Sequence, residues 1–285
     1  MTKTKWLAIA TAVVCVTLIG AKIYAGNVAD EEIQIALEKS EMNKFIKYET
    51  VSVGLLGGVT LKSVAFGPER EVKVESLVID SIDREAIEQG KLPAYGEITV
   101  HGFELAMTEK QVKRAFPQLY ALGYRDIKGD VGIEYNYSDT DKMLHINELS
   151  LSLMGAGKLT GHLDMELPWN EITNPVMLMM ALDDAKLKTV GLKLENDGLV
   201  ARLFDMAEKE QKMSHKDVIA KLDAEIKSAT DSSQKQVLSA LRDFLDGGDE
   251  LEASVEVSSA VTVLRLIQSI SRGDLRDMKI NIQGS

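Results

Sequence analysis

The four histidines of this chain offer the widest range of chemistry, because imidazole both binds metals and transfers protons near neutral pH. They are His101, His145, His162 and His215. No two of them stand at the spacing of a metal-ligand pair, and no Gly-x-Ser-x-Gly sequence supplies a serine nucleophile. His145 and His162 lie on neighbouring predicted strands and could approach each other. The pattern favours surface or packing roles for all four.

A glycine-rich segment, Gly155–Gly161, has some features of a phosphate-binding loop. Such a loop requires glycine at the position of Ser152, and serine or threonine at the position of Leu159, directly after the lysine. The following residues alternate as in a strand, so the helix N-terminus that would bind the phosphate is missing. We predict that the segment contains a turn between two strands.

Acidic residues at predicted turns do not form a metal site. Asp139 and Asp141 make one pair, and Asp183 and Asp184 make another. A calcium loop needs many more oxygen ligands at fixed spacing, so these carboxylates are interpreted as solvated turn residues. Together these patterns predict a protein that is not an enzyme, with no catalytic residue, no metal ligand and no cofactor.

The charge balance argues against a second class of function. The chain contains 33 basic and 44 acidic residues, of which residues 1–29 contribute three lysines and no acid. The rest therefore carries 30 basic and 44 acidic residues, a formal charge of −14. Nucleic acids and anionic lipid surfaces are bound through Lys and Arg, so we expect no nucleic-acid partner and no electrostatic attachment to lipid.

The N-terminal segment has the composition of a membrane anchor. Residues 6–21 are uncharged and would form a helix about 24 Å long. A bilayer needs roughly 20 residues, and Lys22 can extend the span by placing its ammonium group at the interface. We therefore predict that residues 1–29 form an uncleaved anchor. A cleavable signal peptide is the alternative, for which the bulky Ile23 makes a poor cleavage site.

Charges near the N-terminus set the expected orientation. Lys3 and Lys5 precede the apolar segment, and no acidic residue occurs before Asp30. The positive-inside rule places this end in the cytoplasm and residues 30–285 on the far side. The expected location is the inner membrane of a Gram-negative bacterium, crossed once by residues 6–25, with the bulk of the chain in the periplasm.

Alternating apolar and polar residues predict a strand-rich region over residues 46–203. The clearest pattern covers Asp130–Leu167, where three alternating runs are separated by turn residues. It predicts a three-stranded antiparallel meander with one apolar and one polar face. In the second run, Leu144 and Leu149 fall on opposite phases of the alternation.

Helical spacing predicts a helix-rich region over residues 204–271, followed by a final strand at 276–283. Ser214 and Asp217 have the arrangement of a capping box with aspartate in place of glutamate. Thr108 is a plausible N-cap for a shorter helix within the strand-rich region.

A turn sequence and an apolar-faced segment complete the expected fold. Glu195–Gly198 has the residues of a hairpin turn, which predicts a second strand at 199–203. Residues 259–271 have helical spacing. Residues 30–285 are therefore expected to form a periplasmic α+β domain, in which a curved, mostly antiparallel meander sheet with inserted helices follows the N-terminal transmembrane helix.

The apolar face of the meander is the candidate binding surface. Methionines lie in or beside it, and methionine both fills irregular cores and lines adaptable hydrophobic sites. Core filling and a groove for lipid or peptide are both open interpretations. The candidate lining residues are Leu149, Leu151, Leu153, Leu163, Met165 and Leu167.

Three features together resemble the YdgA-like and AsmA-like envelope proteins of Gram-negative bacteria. They are the glycine-punctuated run Val53–Leu61, the segment Leu187–Leu203 and the helix that opens at Ser214. The resemblance implies an inner-membrane anchor and a periplasmic domain. For AsmA-like proteins it also implies lipid movement and envelope homeostasis through a curved sheet with an apolar groove. It supplies no catalytic residues.

Two functions are consistent with these expectations. The first is a membrane-anchored, non-enzymatic periplasmic protein that binds lipid or another hydrophobic ligand in envelope homeostasis. The second is an envelope scaffold or protein-interaction module that binds an envelope protein and no ligand. An open apolar surface on the sheet would favour the first.

Overall fold

The computed structural model describes residues 46–262 and 278–285, apart from gaps at 55–57, 68–71, 84, 87–88, 90, 106–107, 170–171, 173–176, 178–179 and 182–183. The predicted anchor at residues 1–29 lies outside these ranges. Among the helices of the described ranges, none has both the length and the apolar character needed to cross a membrane.

The described residues form one antiparallel sheet of eleven strands. From β3 onward each strand pairs with the next along the chain, and β1 and β2 both pair with the other side of β3. The predicted α+β fold built on an antiparallel meander is confirmed. The strands are β1 (Ile46–Lys47), β2 (Thr50–Val53), β3 (Val59–Phe66), β4 (Val72–Ile82), β5 (Tyr95–Leu105), β6 (Lys128–Ser138), β7 (Met143–Leu153), β8 (Gly157–Glu166), β9 (Lys186–Asn196), β10 (Glu250–Thr262) and β11 (Met278–Gly284).

Five helices have both ends defined within the described residues, and all of them connect strands. Two short helices join β5 to β6, and three longer ones join β9 to β10. The N-cap predicted at Thr108 and the capping box predicted at Ser214 are both present, and Thr108 also forms a capping box, with Gln111 as its reciprocal partner. The helices are α1 (Glu109–Ala115), α2 (Pro117–Ala121), α3 (Leu199–Gln211), α4 (His215–Ser228) and α5 (Ser232–Leu245).

Two segments have a different secondary structure from the one predicted. Residues 199–203 form the first turns of α3 and not the second strand of a hairpin. Gly198 has a φ of 100°, which turns the chain into the helix, and the Asn196 side chain accepts a hydrogen bond from the Val200 amide. Residues 259–262 continue β10, so the predicted helix does not begin there. The rest of it, residues 263–271, lies outside the described ranges.

The apolar side chains on one face of the sheet form two buried clusters. One lies on β1 and β3–β5, where Val59 and Ile79 are fully buried. The other includes residues of β6–β9, among them Leu144, Met165 and Leu187. Ile133 on β6 packs against both clusters, so the two cores meet at the middle of the sheet.

Shifts in strand register keep the apolar residues on that face. The pairing of β7 with β8 shifts between Ile146 and Leu149, which places one extra residue in β7. A strand alternates its side chains between faces, so without this bulge Leu149 would point away from Leu144 and Ile146. The bulge accounts for the change of phase within the sequence of this strand.

Helix α5 covers the last strand of the sheet. The Gln236 side chain donates to the backbone carbonyl of Ile282 on β11. Gly284 allows the close approach, because a Cβ at this position would overlap the carbonyl oxygen of Ala240. An uncovered edge strand invites pairing with other chains, so α5 protects this edge.

Candidate functional site

Three exposed leucines lie on adjacent strands in the middle of the apolar face. Leu149 on β7 is 47% exposed, Leu159 on β8 is 38% exposed and Leu192 on β9 is 47% exposed. We refer to these three residues as the leucine patch. Isolated surface leucines are common, but a contiguous group on an apolar sheet face is typical of an interaction site.

Strand register sets the geometry of the leucine patch. Gly161 on β8 pairs with Leu149 on one side and Leu192 on the other. A Cβ at Gly161 would lie 3.1 Å from the Cδ2 atom of Leu192, so the Leu192 side chain leans over the glycine. Leu159 lies in the next row across the sheet.

Half-buried apolar side chains surround the leucine patch on the same face. They come from all strands between β6 and β11, and thus extend the apolar surface across six strands. These residues are Val131, Ile133, Leu151, Leu163, Val190, Leu194, Leu251, Ala253, Val255 and Ile282.

The six predicted lining residues fall into three groups. Leu149 belongs to the exposed patch. Leu151, Leu153 and Leu163 are half-buried. Met165 and Leu167 are only 4% and 1% exposed and belong to the core of the sheet.

Two members of the leucine patch were absent from the predicted lining. Alternation shows that Leu159 shares a face with Leu163, so the sequence carried a signal for this residue. Leu192 falls within the strand-rich region predicted from the sequence, but the sequence does not show how its strand pairs with β8.

A hydrogen-bonded network crosses the same three strands on the opposite, polar face. The Nδ1 atom of His145 on β7 donates to Oδ1 of Asp164 on β8, at 2.7 Å. The hydroxyl of Thr189 on β9 donates to Oδ2 of the same carboxylate. We call these residues the His–Asp–Thr network. The threonine binds the carboxylate and not the imidazole, so the arrangement does not activate a hydroxyl nucleophile.

The surroundings of Asp164 favour its charged form. Partial burial alone would raise its pKa, but the hydrogen bonds from Thr189 and His145 and the charges of His145 and His162 outweigh burial and leave the pKa lowered. His162 is itself exposed, and its ring lies over Gly191 on β9. His145 and His162, which lie on neighbouring strands, thus both interact with the Asp164 carboxylate.

The other two histidines each lie close to a carboxylate outside the His–Asp–Thr network. The Nδ1 atom of His101 lies 3.8 Å from Oδ1 of Asp130. The Nε2 atom of His215 lies 3.6 Å from Oδ1 of Asp246. Within the ranges given above, no three His, Cys, Asp or Glu side chains converge in a geometry that would hold a metal ion. Gly155–Gly161 forms a turn and the beginning of β8, as predicted.

A row of carboxylates also crosses the polar face. Glu97, Glu134 and Glu148 pair directly across β5, β6 and β7. Partial burial raises the pKa of Glu97, and the charges of Asp80, Glu134 and Glu148 raise it further. The two faces of the sheet thus differ in chemistry, because one is apolar and the other carries charged side chains.

Comparison with protein families gives a match to part of the chain. Residues 141–281 match a family model whose description is "Uncharacterized protein". No curated protein matches the chain. The matched residues run from β7 to β11, so they include the leucine patch and the His–Asp–Thr network.

Proposed function

We propose that the leucine patch binds the hydrocarbon chain of a lipid. In this proposal the protein is a non-enzymatic, lipid-binding component of the envelope. It is anchored in the inner membrane and faces the periplasm. The observation that carries the proposal is the exposure of Leu149, Leu159 and Leu192 on one continuous aliphatic face. Complete burial of a fully exposed leucine side chain contributes about 1.5–3 kcal/mol. These leucines are 38–47% exposed, so covering the rest of each one contributes roughly 1 kcal/mol.

The chemistry of the leucine patch favours a hydrocarbon over other ligands. Its members and the half-buried residues around it are aliphatic, without a charged or hydrogen-bonding side chain among them. Sugars and nucleobases are bound through hydrogen bonds and aromatic stacking, whereas an alkyl chain needs only apolar contact. A membrane anchor at residues 1–29, as predicted from the sequence, would keep this surface close to a supply of lipid.

Binding of cis-parinaric acid, a fluorescent fatty acid, to the purified full chain tests this proposal. Leu192→Asn should weaken binding roughly tenfold, because it places an amide within the apolar contact. Val53→Asn is the matched control, since Val53 is 49% exposed but lies on β2, far along the sheet. This control should bind as the wild type does.

Mass spectrometry of lipid extracted from the wild-type chain and from Leu192→Asn provides a second test. We expect lipid to accompany the wild type and to be depleted in the variant. Equal fatty-acid affinity of Leu192→Asn and Val53→Asn would overturn the proposal. In that case the alternative predicted from the sequence, an envelope scaffold without a ligand, would be the better account.

A further inference from the structure

We propose that the His–Asp–Thr network positions the leucine patch, by holding β7, β8 and β9 together at a line of bulges where the sheet changes from a closed core to an open surface. The network is formed by His145, Asp164 and Thr189 on the polar face, behind the proposed lipid site. This inference rests on the proposed function, because the patch it positions is the proposed site.

The first argument is the position of the bulges. The pairing of β6 with β7 shifts next to Ile146, and so does the pairing of β7 with β8. The pairing of β8 with β9 shifts immediately beside Asp164 and Thr189. Bulges bend a strand and increase its twist, so the three strands change direction where the network joins them.

The second argument is the change in burial across this line. On one side, Leu144, Met165 and Leu187 are 3–4% exposed and belong to the core. On the other side, the three leucines of the patch are 38–47% exposed, although they lie on the same strands and the same face. The transition from core to open surface therefore coincides with the bulges.

The third argument is the chemistry of the network. Asp164 on the middle strand accepts a hydrogen bond from each neighbouring strand, one at each carboxylate oxygen. Bulges interrupt the regular backbone pairing, so side-chain bonds at that point replace part of the lost connection between strands. Hydrogen bonds to a carboxylate are stronger than those between neutral groups.

Substitutions at Thr189 isolate one bond of the network. Thr189→Val removes the hydroxyl and keeps the branched shape, whereas Thr189→Ser keeps the hydroxyl. Thr160→Val is the matched control, because Thr160 is also half-buried on the polar face but lies outside the network, opposite Ser150. His145→Phe removes the other bond to Asp164 by an independent change.

Amide hydrogen exchange and binding of cis-parinaric acid to the full chain are the two measurements. In Thr189→Val we expect amides of residues 143–149 and 186–192 to exchange roughly three- to tenfold faster, the factor given by the loss of one hydrogen bond. Fatty-acid affinity should fall by a similar factor. Thr189→Ser and Thr160→Val should match the wild type, and His145→Phe should change both measurements in the same direction as Thr189→Val.

The two readouts separate this inference from the proposed function. If these amides exchange at the same rates in Thr189→Val as in Thr160→Val, the network does not hold the bulges and the inference is wrong. If exchange accelerates while affinity is unchanged, the network holds the strands but does not position the patch, which also overturns the inference. A wild type that binds no fatty acid would count against the proposed function, and the exchange comparison would still decide whether the network holds the bulges.

Discussion

At the scale of single residues, glycines show how closely the strands and turns of this sheet approach one another. Gly157 and Gly191 make a matched pair, because a Cβ at either position would overlap another atom. At Gly157 that atom is the backbone carbonyl oxygen of Glu195, whereas at Gly191 it belongs to the exposed ring of His162. Backbone cannot move without disrupting the sheet, but an exposed side chain can rotate away.

We predict that Gly157→Ala lowers the free energy of unfolding by about 3 kcal/mol, because it combines the overlap with a φ of 137° that alanine rarely adopts. Gly191→Ala should cost less than about 1 kcal/mol. Denaturant unfolding of the two variants checks the difference. Equal losses would show that the His162 ring cannot leave its place over β9.

Sequence patterns identified which residues share a face but could not show the residue contacts between strands. The approach of His145 to Asp164 depends on the register of β7 with β8, which the bulge at Ile146 alters by one residue. Alternation within each strand carries no information about that register.

At the scale of elements, α3 is the clearest departure from the sequence prediction. Asn, Asp and Gly before Leu199 are typical of a hairpin turn, but they serve equally well before a helix. The apolar run that follows is too short for its periodicity to separate strand from helix. By contrast, the helix at Ser214 was predicted because its capping box depends only on nearby residues.

Arg202 fixes α3 to the end of the sheet. Its Nε donates to the carbonyl of Gly155 at 3.1 Å, and its Nη1 donates to the carbonyl of Leu122 at 3.4 Å. The guanidinium also lies 4.3 Å from the ring centre of Tyr124. One side chain thus joins α3, the turn between β7 and β8, and the segment after α2.

We predict that Arg202→Ala lowers the free energy of unfolding by about 2 kcal/mol, because two hydrogen bonds from a charged group and a cation–π contact are lost. Arg202→Lys should lose most of the same free energy of unfolding, since an ammonium group cannot reproduce the planar geometry of the guanidinium. Lys209→Ala on the same helix is the control, with a change within about 0.5 kcal/mol. Unfolding curves in urea measure all three, and an Arg202→Lys variant as stable as the wild type would contradict the geometric argument.

At the scale of the whole molecule, the sheet has a closed core and an open surface on one continuous face. The sequence predicted the antiparallel meander because turns and alternation are local signals. It could not predict which part of the apolar face stays open, because exposure depends on what packs over the sheet. For this reason the sequence places Met165 and Leu167 in the lining of the apolar groove, although both are core residues.

Leu187 and Leu192 both lie on the apolar face of β9, so variants of these two residues compare the closed core with the open surface within one strand. Leu187 is 3% exposed and belongs to a core cluster, whereas Leu192 is 47% exposed. We predict that Leu187→Ala lowers the free energy of unfolding by about 2–5 kcal/mol, as a cavity in a packed core does. Leu192→Ala should lower it by less than about 1 kcal/mol, because much of its side chain already contacts water.

The same pair of variants connects stability to function. A residue retained for folding should reduce stability when truncated, whereas a residue retained for ligand contact should reduce binding at nearly unchanged stability. Leu192→Ala should therefore weaken binding of cis-parinaric acid while its urea midpoint stays close to that of the wild type. A large loss of stability in Leu192→Ala would instead place this leucine in the core, and the argument for an open lipid-binding surface would fail with it.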